Sequence, residues 1–340
     1  MNKAIWMHLV LVAGISTIAA PAAATPNVGT ITSLTGNIMN TACDSPEGLS
    51  VDLQGNFYTG SSQTKPTGAV CQFAPNGTLK ETFTIPAGPS GSVSLLGVLF
   101  QPPHTLFALD FANDFANPTT TDGRVIALNT ETGEVTTIAS GFIFPNGIAE
   151  DPQGFFYVAD SFQGTVTRFK ADGSEKSVWS SSPLLAPNLL SKLPLGANGI
   201  AFDPTFCNAY VSNTTNSQII RIPVERNGSA GTGVVFADGA TIDKNPGVSG
   251  ALAGADGIAF DLFGNLYVAA NQANQIQVIS PTGQLTAQYS STTLTLDNPA
   301  SLVFVGNRLY FTNASIFDGG VNSAIFVLQA PLPGLPPLPL

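Results

Sequence analysis

The amino-acid sequence predicts an all-β protein, a six-bladed β-propeller in which an N-terminal strand completes the last blade. Three observations support this fold class. A motif recurs six times along the 340 residues, with a period near 50. Each copy contains short β-rich runs separated by turns rich in Pro, Gly, Asn and Asp, and no segment has the pattern of a long amphipathic helix. A period of this length suits a four-stranded propeller blade.

The copies share one internal order of elements. The second residues of the copies lie 49, 50, 52, 58 and 44 residues apart. A short apolar strand leads into a turn, then come two β-rich strands, a tight turn and a fourth strand. In four copies the first turn opens with an aspartate: Asp52, Asp151, Asp203 and Asp261. A short carboxylate at a turn caps backbone N–H groups, so a repeated aspartate at one position predicts a structural role.

The two ends of the chain are assigned separately from the repeats. Residues 1–24 read as a secretory signal peptide, with Lys3 before an apolar run and a small-residue cleavage site; a membrane anchor is the alternative. Residues 25–329 form one propeller, in which residues 29–36 supply the outer strand of blade six. Residues 330–340 form a Pro-rich extended tail outside the core. A β-sandwich or solenoid with accidental repeats is the alternative architecture.

Composition limits the classes of partner. The chain has 12 Lys and Arg against 22 Asp and Glu, a net charge of −10, with 44% hydrophobic and 10% charged residues. Such a chain is too apolar for a disordered protein and has too few cations for a nucleic-acid binder. We therefore expect a globular monomer, secreted or periplasmic, with no membrane span once the signal is removed. Its partner is expected to be a small molecule.

The few cysteines and histidines limit which disulfides and which catalytic sites the chain can form. Export permits disulfides, and a Cys43–Cys71 bond is conceivable because both cysteines lie in the first repeat, although the pairing with Cys207 stays open. His8 leaves with the signal peptide. A Ser-His-Asp triad, or a lyase of the streptogramin type, would therefore depend on His104, which falls in a turn of blade two.

One position of the repeat varies in a way that indicates a site. The second residue of each copy is, in order, Glu47, Leu96, Asn146, Asn198, Asp256 and Ala300. Because the fold accepts Leu or Ala there, the four oxygen-bearing side chains are not required by the fold. The first strand of each blade lines the central channel, so these side chains converge at its mouth. Carboxylate and amide oxygens suit Ca²⁺, Mg²⁺ or Mn²⁺ more than Zn²⁺. The alternative is that these residues only cap turns, with the following glycine completing them.

These motifs resemble the SMP-30/gluconolactonase/luciferin-regenerating-enzyme-like family over roughly residues 29–328. The matching segments are Glu47-Gly48, Asn146, Asn198-Gly199-Ile200-Ala201 and Asp256-Gly257. The resemblance implies a six-bladed propeller with a divalent cation at the channel mouth, usually Ca²⁺, with Mg²⁺, Mn²⁺ or Zn²⁺ as other possibilities. It implies that the four oxygen side chains hold the ion and that Asp256 is the general base or nucleophile.

The sequence also departs from that family. Phe144 stands where sugar-lactone members carry an arginine, and Gly147 where they carry an aspartate. Leu49-Ser50 replaces the usual Pro-x-Trp motif. These departures put an aldonolactone substrate in doubt.

A second, wider circle of polar residues is predicted around the mouth. It consists of side chains at the ends of the second strands, which we expect to bind substrate: Asp160, Asn213, Asn271 and Asn313. The alternative is that they only start turns. Long loops on the same face (residues 111–122, 181–197, 238–255 and 314–322) carry apolar side chains and favour a fairly apolar ligand.

The sequence thus predicts a secreted metal-dependent hydrolase that acts on a lactone, an ester or a similar electrophile at the channel mouth. The alternative is a non-catalytic propeller of the NHL-repeat kind, which binds a ligand or a protein partner. NHL-repeat propellers share the Asp-x-x-Gly-Asn-x-Tyr-Val-Ala rhythm of this chain.

Overall fold

Six four-stranded antiparallel sheets make up the fold of this chain. The computed structural model describes residues 27–112, 120–191 and 193–336. The predicted signal peptide, residues 1–24, lies outside this part of the chain. Each sheet runs through its strands in sequence order, from the channel outward, except that the sixth takes its outer strand from the N-terminus. The prediction of a six-bladed propeller is therefore confirmed.

The first three blades each contain four strands in order from the channel outward. Blade one has β2 (Ser50–Val51), β3 (Phe57–Gly60), β4 (Thr67–Phe73) and β5 (Leu79–Pro86). Blade two has β6 (Leu95–Gln101), β7 (Thr105–Asp110), β8 (Gly123–Asn129) and β9 (Val135–Phe142). Blade three has β10 (Pro145–Glu150), β11 (Phe155–Asp160), β12 (Thr165–Lys170) and β13 (Ser177–Ser180).

The second half of the ring repeats this order. Blade four has β14 (Ala197–Phe202), β15 (Asn208–Asn213), β16 (Gln218–Pro223) and β17 (Val234–Asp238). Blade five has β18 (Ala255–Phe260), β19 (Leu266–Ala270), β20 (Gln275–Ile279) and β21 (Leu285–Tyr289). Blade six has β22 (Pro299–Val305), β23 (Arg308–Asn313), β24 (Ala324–Gln329) and β1 (Ile31–Ser33). The described helices are single turns: α1 (Gly239–Ile242) and the 3₁₀ turns Pro183–Leu185 and Asn271–Ala273.

The two ends of the chain close the ring. Strand β1 pairs antiparallel with β24, with Ile31 opposite Leu328 and Ser33 opposite Phe326. The predicted closing strand is thus confirmed as the outer strand of blade six. Pairing satisfies backbone groups that an open sheet edge would expose.

The repeated aspartates have the structural role that the sequence predicts. Asp151 Oδ1 accepts hydrogen bonds from the N–H groups of Gln153 and Phe155, and its Oδ2 accepts one of 2.8 Å from the hydroxyl of Tyr157. The Tyr157 ring then packs edge-on against Phe202 of the next blade, 5.0 Å between centroids. Asp52, Asp203 and Asp261 accept equivalent backbone bonds in their own turns. Each aspartate therefore shapes its turn, and in blade three it also fixes an aromatic side chain of the core between blades.

A disulfide joins Cys43 to Cys71, which ties the segment before β2 to the third strand of blade one. The bond conceived from the sequence is therefore present. Cys207 is free and exposed.

The C-terminal tail crosses the channel end opposite to the start of the first strands. Pro333 accepts a hydrogen bond from the N–H of Leu262, and Leu335 donates one of 2.8 Å to Phe260. Gly334 packs directly against the Phe304 ring, where a Cβ would overlap the ring atoms. Leu335 and Pro336 line a largely apolar cavity of about 150 Å³ at this end. Residues 330–336 therefore lie against blades five and six; residues 337–340 fall outside the described part.

Across the described ranges, no helix has the length and apolar character that crossing a bilayer demands.

Candidate functional site

Four oxygen-bearing side chains predicted from the repeat lie together around the start of the first strands. Glu47, Asn146, Asn198 and Asp256 are each at most 7% exposed and line the same two cavities. We call these four residues the mouth ring. Asn146, Asn198 and Asp256 lie inside strands β10, β14 and β18, so the alternative that they cap turns is wrong.

A backbone irregularity sets the direction of these side chains. In blades two to six the register of the first strand shifts between its first and fourth residues, for example between Pro145 and Ile148. The mouth-ring position falls within this shift. A bulge of this kind bends a strand and re-aims a side chain, and bulges are frequent beside functional sites.

The glycine after each ring residue serves close packing between blades. A Cβ at Gly147 would overlap the carbonyl oxygen of Asn198, and a Cβ at Gly199 would overlap that of Asp256. Gly48, Gly97 and Gly257 meet the next blade in the same way. The Asn-Gly and Asp-Gly pairs therefore bring the innermost strands close enough for their side chains to converge.

The mouth ring separates two small cavities. The outer cavity, of about 40 Å³, is walled by apolar side chains above the ring, among them Leu96, Phe144, Leu195 and Phe317. The inner cavity, of about 90 Å³, continues into the channel between the first strands. The ring thus forms the floor of an apolar pocket.

Burial strongly perturbs the two carboxyl groups of the ring. Burial raises the pKa of Glu47 well above its usual range, and the neighbouring charge of Asp256 raises it further. Burial raises the pKa of Asp256 to about 8, against the opposing effect of hydrogen bonds from Asn271, Gly257 and Asn198. Among the described residues that line the two cavities there is no Lys, Arg or His. Two like charges with no counter-charge among these residues favour either a proton or a bound cation.

The donor set fits a hard divalent cation. The Oδ1 atom of Asn198 is buried and has no hydrogen-bond partner, although an unsatisfied buried oxygen is costly. The side-chain nitrogen of Asn198 is occupied by Thr214 at 2.9 Å, and that of Asn146 by Ser161 at 3.3 Å. Within the described ranges no cluster of three or more His, Cys, Asp or Glu occurs, and the ring combines two carboxylates with two amides. Such all-oxygen sets match Ca²⁺ and Mg²⁺.

The predicted second circle does not form as expected. Asp160, Asn213 and Asn313 are fully buried, and none lines either cavity. The Asp160 carboxylate accepts hydrogen bonds from backbone N–H groups that include those of Ile143 and Phe144. Asn213 binds loop carbonyls at 2.9 and 3.0 Å, and Asn313 does so at 3.1 and 2.7 Å. Their polar groups hold loops in place, which agrees with the alternative structural role.

Asn271 behaves differently because it lies one residue further along. In blade five Ala270, not Asn271, pairs with the first residue of the first strand, as Asp160 does in blade three. Asn271 lines the outer cavity and donates to Asp256 Oδ2 at 3.2 Å.

The equivalent residues after β11 and β15 are Ser161 and Thr214, which the sequence pattern did not predict as site residues. Both are hydroxyl residues directly after a predicted second strand. That shared position is the signal that could have identified them.

The long loops take the predicted positions in part. Leu193, Leu195, Ile316 and Phe317 line the outer cavity, and Phe144 packs on Phe162 with centroids 5.0 Å apart. Residues 113–119 of the loop 111–122 lie outside the described part. His104 is half exposed in a turn and faces Glu131, so it does not belong to the cavity lining.

Comparison with known proteins agrees with this description. A family model described as the SMP-30/Gluconolactonase/LRE-like region matches residues 188–315, which include Asn198 and Asp256. The resemblance inferred from the motifs is therefore confirmed. No match was found among curated protein sequences.

Several solved structures share the fold. Luciferin-regenerating enzyme is 16% identical with a TM-score of 0.64, covering 92% of this chain and 99% of that one. Regucalcin, a calcium-binding protein from Agrobacterium tumefaciens, is 17% identical with a TM-score of 0.62, covering 90% and 98%. A gluconolactonase from Xanthomonas campestris is 16% identical with a TM-score of 0.60, covering 88% and 89%. At such identities the likeness establishes the fold.

Proposed function

We propose that this protein is a divalent-cation-dependent hydrolase that acts on a lactone or ester at the channel mouth. One observation carries the proposal. Four buried oxygen-bearing side chains meet at the floor of an apolar pocket, where one amide oxygen has no partner and the two carboxyl groups have no counter-charge among the described lining residues. The similarity to calcium-binding and gluconolactonase propellers supports the same reading.

Glu47, Asn146, Asn198 and Asp256 would hold the cation, for which Ca²⁺ is our first choice. A bound divalent cation polarises a substrate carbonyl and lowers the pKa of a water molecule. The two carboxylates supply the charge that attracts the ion, and the two amide oxygens complete the set without adding further repulsion.

Asp256 is the residue we assign to the chemical step. Asn271 donates a hydrogen bond to its Oδ2 atom, Gly257 and Asn198 also donate to this carboxyl group, and Asp256 lines both cavities. A cation bound beside the pair would lower both raised pKa values and so favour the ionised form of Asp256. It would then accept a proton from an attacking water. Alternatively it would attack the substrate carbonyl itself, with cleavage of the C–O bond of the ester or lactone, and water would then hydrolyse the acyl-enzyme.

The pocket favours an uncharged, apolar substrate. Phe144, Leu195, Ile316 and Phe317 wall the outer cavity, and no cationic side chain among the described residues lines it to grip a sugar acid or a phosphate. The 40 Å³ of this cavity hold one or two water molecules, so a substrate enters only when side chains such as the 63%-exposed Phe317 move aside. We therefore propose alkyl lactones and alkyl or aryl esters as the substrate class.

We also propose that the mature protein is exported. The disulfide between Cys43 and Cys71 supports this, because such bonds persist in oxidising compartments such as the periplasm or the extracellular space.

The test combines metal analysis with a substrate panel. Elemental analysis of protein purified without chelator, followed by Ca²⁺ titration of the stripped protein, is expected to show one bound ion per chain. Hydrolysis is then measured on aliphatic δ-lactones, aryl esters and gluconolactone, with Asp256→Ala as the test variant and Asp172→Ala, at an exposed turn, as the control.

We expect activity on the apolar substrates that chelation or Asp256→Ala abolishes and that Asp172→Ala retains. Absence of a bound divalent ion, or activity unaffected by Asp256→Ala, would refute the hydrolase proposal. Cation binding without activity on any member of the panel would instead favour the non-catalytic binding propeller.

A further inference from the structure

Three consecutive blades share a bridge that runs from a mouth-ring side chain to the backbone of the next blade. In blade three Ser161 Oγ donates to the carbonyl of Ala197 at 2.7 Å and accepts from Asn146 Nδ2 at 3.3 Å. In blade four Thr214 Oγ1 donates to the carbonyl of Ala255 at 2.8 Å and accepts from Asn198 Nδ2 at 2.9 Å.

Blade five makes the same bridge with an amide. Asn271 Nδ2 donates both to Asp256 Oδ2 at 3.2 Å and to the carbonyl of Pro299 at 3.3 Å. In all three blades the bridging residue directly follows the second strand, and the carbonyl belongs to the residue before the next ring position. These bridges tie the side chains of Asn146, Asn198 and Asp256 to the backbone of the next blade.

The single proton of the hydroxyl group determines which groups in the bridge donate and which accept. A serine or threonine hydroxyl carries one proton, and in these two bridges that proton is donated to a backbone carbonyl. Toward the asparagine the hydroxyl can therefore only accept, so the asparagine must present its NH₂ group to it. The amide oxygen must then point away, toward the interior of the ring. The unpartnered, buried Oδ1 of Asn198 agrees with this orientation.

We infer that Ser161 and Thr214 are positioning residues, whose hydroxyls hold the amide oxygens of Asn146 and Asn198 toward a bound divalent cation. The inference rests on the proposed cation site and adds two residues to it. Without the Thr214 hydroxyl, the Asn198 amide keeps, within the described part of the chain, only its hydrogen bond to Asp256. A turn of the amide would then bring its NH₂ group inward, where it would face a cation with the wrong sign of partial charge. Partners of this kind typically change metal affinity by about 10- to 100-fold.

The experiment measures Ca²⁺ affinity of the full chain by calorimetry, independently of any hydrolytic activity. Thr214→Val keeps the shape but removes the acceptor, and we expect it to weaken Ca²⁺ binding at least about tenfold. Thr214→Ser restores the hydroxyl and is expected to stay within about threefold of the wild type. Thr215→Val is the matched control, because the Thr215 hydroxyl donates to the carbonyls of Leu193 and Leu195 and, among the described residues, to no side chain of the mouth ring. We expect it to leave the affinity unchanged.

A double variant distinguishes orientation from a general loss of packing. Asn198→Asp has oxygens on both sides and nothing to orient, so adding Thr214→Val to it should not weaken Ca²⁺ binding further. Should Thr214→Val fail to fold, Ser161→Ala tests the same role on Asn146 in the neighbouring blade. Thermal melts establish folding for every variant.

The possible results distinguish a failure of the positioning role from a failure of the proposed cation site. If the wild type binds Ca²⁺ and Thr214→Val binds it equally well, the positioning role is refuted while the cation site stands. The role is also refuted if Thr215→Val weakens binding as much, or if the loss persists in the Asn198→Asp background. If the wild type binds no divalent cation, the proposed function fails and the positioning role fails with it.

Discussion

The turn aspartates and the mouth ring use the same chemical groups in opposite ways. At the turns, Asp151 accepts two backbone hydrogen bonds and one from a tyrosine, so its acceptor capacity is used within its own blade. At the channel mouth, the Asn198 oxygen has no partner, and Asp256 shares a buried space with Glu47. A carboxylate satisfied by its own turn contributes to folding. An oxygen left unsatisfied at a convergence point is available to a ligand, at a cost to stability.

The largest expected effect comes from Asp256→Asn. We predict that kcat/KM for an ester or lactone substrate falls by at least about 1,000-fold, or about 4 kcal/mol, because the variant removes a ligand charge and the proton acceptor. The melting temperature should stay the same or rise, because one of two repelling buried carboxyls is gone. Steady-state kinetics and calorimetric melts measure both quantities. A large loss of stability with activity retained would show that Asp256 serves the fold, as the turn aspartates do, and not the site.

The opposite result is expected at a turn. Asp151→Ala leaves the N–H groups of Gln153 and Phe155 and the Tyr157 hydroxyl without their acceptor, so the free energy of unfolding should fall by about 3 kcal/mol. Urea unfolding measures this, with the exposed Asp172→Ala as the control that changes little. The activity of the remaining folded fraction should match that of the wild type. A variant as stable as the wild type would show that the turn does not need its carboxylate.

The pH dependence of cation binding is a third way to compare the mouth ring with the turn aspartates. The Asp256 pKa is raised to about 8, so below that pH the ring carries a proton that a cation must displace. The affinity for Ca²⁺ should therefore rise with pH through about 8, by up to about tenfold per pH unit for each proton displaced, because the pKa of Glu47 is raised as well.

The raised pKa of Asp256 also determines the direction in which the stability of the fold changes with pH. A carboxyl whose folded pKa is raised stabilises the fold at low pH, so the cation-free protein should lose stability as the pH rises from the ordinary carboxyl range through about 8. Calorimetry at about pH 6, 7, 8 and 9 measures the binding, and melts with and without Ca²⁺ measure the stability. Binding that does not vary with pH would show that the pair is ionised without a cation.

The smallest effect is expected at the far end of the channel. Removal of residues 331–340 deletes the hydrogen bonds that Pro333 and Leu335 make with blade five, and should lower the free energy of unfolding by about 1–2 kcal/mol. The affinity for Ca²⁺ should stay unchanged, because the tail lies at the end opposite to the mouth ring. Thermal melts and calorimetry on the truncated chain test both statements. A change in cation affinity would indicate that the two ends of the channel are coupled.

The repeat predicted the fold and the mouth ring for one physical reason. Six copies of a motif give six aligned columns, and a column that tolerates both Leu96 and Asp256 cannot be set by folding alone. The columns also identify the turn aspartates, because a residue that recurs at one turn position is required by the structure of that turn.

The prediction of the second circle was wrong because the turn before the second strand differs in length between blades: Asp203 lies seven residues before Tyr210, whereas Asp261 lies six before Tyr267. Asn271 resembles Asn213 in chemistry but occupies the position of Thr214, four residues after the tyrosine of the second strand, as the strand pairing confirms. The bridges from Ser161 and Thr214 join neighbouring blades through backbone carbonyl groups. Every residue has such a group, so the residue types do not predict these contacts. The close approach of Gly199 to the next blade is likewise set by the spacing of the innermost strands.

The pairing of β1 with β24 also has a consequence for the order of events during synthesis. Ile31 is among the first residues of the propeller to be made, but its partner Leu328 is made nearly 300 residues later. The ring cannot shut while the chain is still growing, and a chain that stops early keeps an unpaired edge in its last sheet. The sixth sheet can therefore be completed only after the strand that contains Leu328 has been made, so the ring closes late in synthesis.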